Sequence, residues 1–79
     1  LMSTDKLQQI FAQALDLPEQ AITEELAYNS IKQWDSTAHM VLIAALEDEF
    51  DIMLDTDDII DMSSVAKARE ILAKYDING

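Results

Sequence analysis

The chain has no cysteine and only one histidine, one glycine and one proline among its 79 residues. Without cysteine there is no disulfide framework and no thiolate metal site. So little glycine and proline suits helices and disfavours a turn-rich β architecture. No run of about eighteen apolar residues occurs, so no segment is expected to span a membrane. The first residues show no basic stretch leading into an apolar run, so no secretory signal is expected and the compartment reads as cytoplasmic. Basic residues are scarce too, five against 16 acids, for a net charge of −11. Phosphate neutralisation needs Lys and Arg, so nucleic acid is excluded as a partner class. Partners with basic surfaces are favoured, because they would be steered toward this domain.

What is present is apolar residue, 49% of the chain. That suffices for one small core, and residues 1–79 read as a single domain. Leu1 precedes Met2, which is the expected natural start, so Leu1 is set aside. The acids are unevenly spread. Residues 35–62 hold nine of them (Asp35, Glu47, Asp48, Glu49, Asp51, Asp55, Asp57, Asp58, Asp61) and no base. Such a block is either a solvated surface or a docking face.

Helical spacing recurs. Leu7, Ile10, Phe11, Ala14 and Leu15 form one amphipathic stripe, with Ser3 or Thr4 available as its cap. Pro18 is expected to stop that helix, since Leu17 before a proline is biased away from helical dihedrals. Residues 18–34 form a long connection tied down by Ile22, Leu26, Tyr28, Ile31 and Trp34. Asp35 is a suitable N-cap for the strongest helix, which runs to about Phe50. His39, Ile43, Leu46 and Phe50 share its core face, with Leu42 at the edge. Thr37, Met40, Val41, Ala44 and Asp48 lie on the other side. A short helix, Thr56 to about Asp61, follows, capped by Asp55 or Thr56 and turning Ile59 or Ile60 inward. The last helix begins after Ser63 or Ser64, with Val65, Ala68, Ile71, Leu72 and Tyr75 as its stripe and Lys74 in its last turn. The fold class is therefore all-α: a small bundle of three main helices plus one short helix, with a long first loop.

Catalytic constellations are weak. Ser36 and His39 would have to meet, no third orienting group is evident, and His39 is expected to turn inward. The acids around Asp55–Asp61 lack the central Gly and terminal Glu of a calcium loop, so no dedicated metal site is expected. Ser36 stands out by position, at the first turn of the main helix beside Asp35. Ser and Asp are also ordinary helix starters, so position alone does not make it a site.

The wider sequence adds to that reading. Trp34-Asp35-Ser36-Thr37-Ala38-His39-Met40, then Leu42, Ile43 and Leu46-Glu47-Asp48-Glu49-Phe50, then Asp51-Ile52, the acids Asp55 to Asp61 and Ser63-Ser64-Val65, resembles the acyl carrier protein family over nearly the whole chain. That family has an Asp-Ser-Leu motif opening an acidic helix, and a Ser/Thr-Val step into the last one. Three residues depart from the pattern. Thr37 replaces the usual Leu, the Gly before Asp-Ser is absent, and Asp51 replaces the Gly after Phe50.

The resemblance implies that a separate phosphopantetheinyl transferase attaches 4'-phosphopantetheine to Ser36, with Asp35 capping the helix beside it. Acyl cargo then rides as a thioester, and acyl-loading, acyl-transfer or synthase enzymes with basic docking patches visit a non-catalytic, monomeric carrier. Thr37, Met40, Val41, Ala44, Glu47, Asp48, Asp57, Asp58 and Asp61 are the expected docking residues. Scattered surface apolars are normal, so Met40, Val41 and Ala44 are equally readable as bland surface. Leu46, Ile59 and Met62 are implied lining for an acyl chain, or ordinary core. Two alternatives stay open. One is an aminoacyl or peptidyl carrier of the same fold, although that branch's Gly-Gly-x-Ser pattern is missing. The other is an unmodified helical protein-interaction module.

Overall fold

A computed structural model describes residues 5–77, and Ser3 and Thr4, the expected caps of the first helix, lie outside them. Capping falls to Asp5, whose carboxylate accepts from the backbone N–H of Leu7 and Gln8 at 3.0 and 3.3 Å. It opens α1 (Lys6–Leu15). A single 3₁₀ turn, Glu19–Ala21, interrupts the long connection. Then come α2 (Ser36–Phe50), α3 (Thr56–Asp61) and α4 (Val65–Ala73). No β-strand occurs among the described residues, only an isolated bridge between Ala27 and Ser64. Among the described residues the fold is an all-α bundle of four helices with a long first loop.

The core follows the helical stripes. Leu7, Ile10, Phe11 and Leu15 of α1 meet Leu42, Ile43 and Leu46 of α2 and Val65, Ala68, Ile71 and Leu72 of α4. Phe50 and Tyr75, expected in those stripes, are half-buried at the rim. Ile22 and Trp34 of the loop are buried with them, which ties the connection down. Further along the loop, Tyr28 donates its N–H to Ser63 at 2.9 Å, and Val65 donates to Leu26 at 3.0 Å. Ser64 caps α4 through the Lys67 N–H at 3.0 Å.

The helix ends differ from the sequence expectation. α1 stops at Leu15, before the Leu17-Pro18 step, because Asp16 is left-handed at φ 58°. The same happens at Asp51, φ 55°, after α2, and at Asp76, φ 64°, after α4. In each case the next residue closes a wide loop back to the helix: Leu17 N–H to Ala12 at 3.0 Å, Ile52 to Glu47 at 3.2 Å, Ile77 to Leu72 at 3.0 Å. This is the Schellman arrangement, normally built on glycine. Leu17, Ile52 and Ile77 then pack on the core. Asp can visit the left-handed region at moderate cost, so a chain with one glycine ends two helices with aspartate and places a third in the turn that follows α4.

Candidate functional site

Trp34 fixes the approach to α2. Its side chain is fully buried. It packs edge-on against Phe11 at 5.3 Å and Tyr28 at 6.2 Å between ring centroids. Its indole N–H donates to His39 Nδ1 at 2.9 Å. His39 is buried, and its Nε2 lies 2.9 Å from the Ile59 carbonyl. Because the indole can only donate, Nδ1 must accept; Nε2 then carries the proton and donates to Ile59. Both ring nitrogens are occupied, and His39 forms no Ser–His pair with Ser36.

The next residue, Asp35, is extended and accepts the Ala38 N–H at 2.8 Å. Ser36 follows as the first helical residue, exposed to solvent, two positions beyond the anchored indole. It therefore combines access with a fixed position. From Ser36, a shallow open depression runs along the outer face of α2 past Thr37, Met40, Val41 and Ala44. Met40 and Val41 are 56% and 51% exposed, far above the core residues one turn away. Asp48 continues that face, and Asp57 and Asp61 are exposed on α3.

Two of the expected docking acids are engaged inside the domain. Glu47 is half-buried, and its Oε2 accepts the Leu54 N–H at 2.9 Å, bracing the turn between α2 and α3. Asp58 contradicts the sequence expectation outright. It is 5% exposed and is the most buried residue of α3, beside Ile59, which packs on the core as one of the two expected isoleucines. Ile59 is half-buried and Ile60 is 72% exposed. The reason is local neutralisation. Lys74 Nζ lies 2.6 Å from Asp58 Oδ1, and the Tyr75 hydroxyl donates to Oδ2 at 2.8 Å. A carboxylate with both oxygens satisfied and a cation in contact can be buried. The hydrogen bonds from Lys74 and Tyr75 hold Asp58 below the usual carboxylate range, against the opposing effect of burial. Lys74 and Tyr75 are raised, each chiefly by the same contact with Asp58. Asp58 is therefore not one of the exposed acids of α3. The sequence signal was available only as a pairing, because its partners lie 16 and 17 residues away.

A cavity of about 250 Å³ opens beside α3, lined by Tyr28, His39, Ile59, Ile60, Met62 and Ser63. Of the three residues expected to line an acyl site, Ile59 and Met62 border this cavity; Leu46 is buried in the main core instead. Among the described residues, no three carboxylates or histidines converge as a metal site. No helix there is long and apolar enough to cross a membrane.

The family described as "Phosphopantetheine attachment site" matches residues 5–71. The chain belongs to the acyl carrier protein family. It is 36% identical over 70 residues to the acyl carrier protein of Buchnera aphidicola subsp. Baizongia pistaciae (strain Bp), a match spanning 89% of this chain and 90% of that one. As an acyl carrier protein it is a phosphopantetheine protein, with 4'-phosphopantetheine as its covalent cofactor. The Asp51 departure from the family pattern now has its explanation. Gly suits a left-handed residue after a helix, and Asp51 occupies that conformation.

Proposed function

We propose that Ser36 is the attachment point of 4'-phosphopantetheine and that the domain carries acyl groups on it to partner enzymes without catalysing their reactions. The observation that carries this reading is the exposed hydroxyl at the first turn of α2, held by a buried tryptophan and a capped helix start. The residues also fit the group. The Ser36 and Thr37 N–H groups belong to the first turn of a 15-residue helix, where backbone donors lack intrahelical acceptors and the dipole favours an anion such as a phosphodiester. Asp35 adds an opposing charge there, so its service is the cap rather than phosphate binding. The bound group supplies a flexible thiol, which this chain lacks, for thioester linkage. A serine hydroxyl is a poor nucleophile, so the transferase must supply base and metal.

In this reading the docking face is Thr37, Met40, Val41 and Ala44 with Asp48, Asp57 and Asp61 around them, and Glu47 at its margin. Each exposed ion pair with a partner contributes only about 0–1 kcal/mol, which suits brief visits. Partners are a phosphopantetheinyl transferase and enzymes that load or consume acyl groups, meeting a monomeric carrier in the cytoplasm. The test is intact-mass measurement after co-expression with a phosphopantetheinyl transferase. The native chain should gain the mass of one phosphopantetheine group and the Ser36→Ala variant none. A native chain of unchanged mass, or a Ser36→Ala variant that still gains mass, would overturn the assignment.

A further inference from the structure

The methionines of the described residues differ sharply in their access to solvent. Met62 is 1% exposed, Met40 56% and Met53 84%. Of these, Met40 borders the depression that opens at Ser36. It stands four residues after Ser36, one helical turn and about 6 Å further along α2, on the same face. Long side chains on a helix lean toward its N-terminus, so the Met40 thioether covers the turn that begins with Ser36. The residues lining the depression, Ser36, Thr37, Met40, Val41 and Ala44, carry no charge. The chain has no cysteine to intercept an oxidant ahead of its thioethers.

A thioether takes one oxygen atom from a peroxide. The O–O bond breaks and an S–O bond forms; the sulfur is oxidised to a sulfoxide and hydrogen peroxide is reduced to water. A flexible apolar side chain thereby becomes a polar one. On the free protein this change costs little, because Met40 is exposed and takes no part in the core. Under a partner it costs more. The sulfoxide oxygen is an acceptor that is stripped of water on docking, and the depression offers no cation to replace that water.

We propose that Met40 is a peroxide-sensitive modification site, whose sulfoxide hinders docking at Ser36 and whose reduction restores it. This inference rests on Ser36 as the attachment point and on the outer face of α2 as the docking surface. Reduction by a methionine sulfoxide reductase oxidises two thiols to a disulfide and releases the oxygen as water. Met53 provides the contrast. It is the more exposed thioether, yet it lies between α2 and α3 and outside the depression, so its sulfoxide is silent.

The test treats full-length apo protein with hydrogen peroxide until peptide mass shows Met40 oxidised. The rate of phosphopantetheine transfer is then measured at carrier concentrations well below saturation, so that it reports kcat/KM. The native chain, Met40→Leu and Met53→Leu are each compared with their own untreated form. Oxidation should slow the native chain and Met53→Leu about five- to thirtyfold, the effect of losing one good contact, and the reductase should restore both. Met40→Leu should keep its own untreated rate, although Met2 and Met53 remain in it to be oxidised. The helical circular dichroism signal of the oxidised native chain should be unchanged. The proposal is overturned if the oxidised native chain keeps its untreated rate, if Met40→Leu slows as much as the native chain, or if oxidation abolishes the helical signal. An untreated native chain that gains no phosphopantetheine would instead overturn the assignment of Ser36, and this inference with it.

Discussion

Replacing His39 by leucine tests the physical argument most sharply, because the imidazole satisfies two groups on different elements. The expensive loss is the Trp34 indole N–H. Trp34 is fully buried, and its partner is His39 Nδ1 at 2.9 Å. An orphaned buried donor costs about 1–3 kcal/mol. The Ile59 carbonyl borders the cavity, where water can replace the lost donor, so it adds little. The net expectation for His39→Leu is a loss of about 2 kcal/mol. A chain of this length has a total stability of about 4–12 kcal/mol, so the variant should still fold. Its Tm should fall by about 10 °C, and urea denaturation should show the same loss at unchanged slope. The decisive comparison is with Trp34→Phe and the double variant. Phenylalanine has no N–H to orphan, so the double variant should be more stable than the sum of the single losses by about 1–3 kcal/mol. Losses that add to within about 0.5 kcal/mol would show that the indole–imidazole bond is not the source of the cost.

Two further outcomes follow from charge. Asp58 is held below its ordinary value in the folded chain, so its contribution is complete above that ordinary value and is lost as pH falls through the depressed one. Amide exchange at Ile59–Asp61, scaled to an unstructured peptide, should accordingly change little on acidification to about pH 5 and rise below about pH 4, whereas a rise already complete at neutral pH would contradict the burial of an ionised Asp58. On the proposed docking face, with its exposed acids Asp48, Asp57 and Asp61, the rate of modification by a phosphopantetheinyl transferase should fall as sodium chloride rises from about 0.01 to 1 M, where the screening length shrinks from about 30 to 3 Å. A rate independent of salt would place recognition on Met40, Val41 and Ala44 alone.

The sequence made α2 legible because periodicity and capping agree there. Asp35 precedes an apolar stripe of His39, Ile43 and Leu46, and Met40, Val41 and Ala44 fall opposite. Ser64 and the α4 stripe were readable for the same reason. What escaped was pairing across distance. Nothing local marks Asp58 as buried, since an acidic first turn suits a helix dipole and two isoleucines follow it. Only Lys74 and Tyr75, brought up by the fold, make its burial tolerable. Glu47 escaped likewise, since its tie to Leu54 depends on the chain reversal after α2. The left-handed aspartates did leave a signal. Leu15-Asp16-Leu17, Phe50-Asp51-Ile52 and Tyr75-Asp76-Ile77 repeat one apolar-Asp-apolar pattern at three helix ends. An eye trained on glycine passes over it.

Those three corner aspartates have a cost beyond their backbone angle. Asp16 and Asp51 stand just past a helix C-terminus and Asp76 in the turn that follows one, where the aligned peptide dipoles already present negative charge, so the carboxylate faces repulsion in a domain of net charge −11. Dissolved ions soften that repulsion at the same concentrations at which they weaken attraction to a basic visitor. Added electrolyte thus drives the two properties apart: the bundle itself grows firmer as the proposed hold on basic partners slackens.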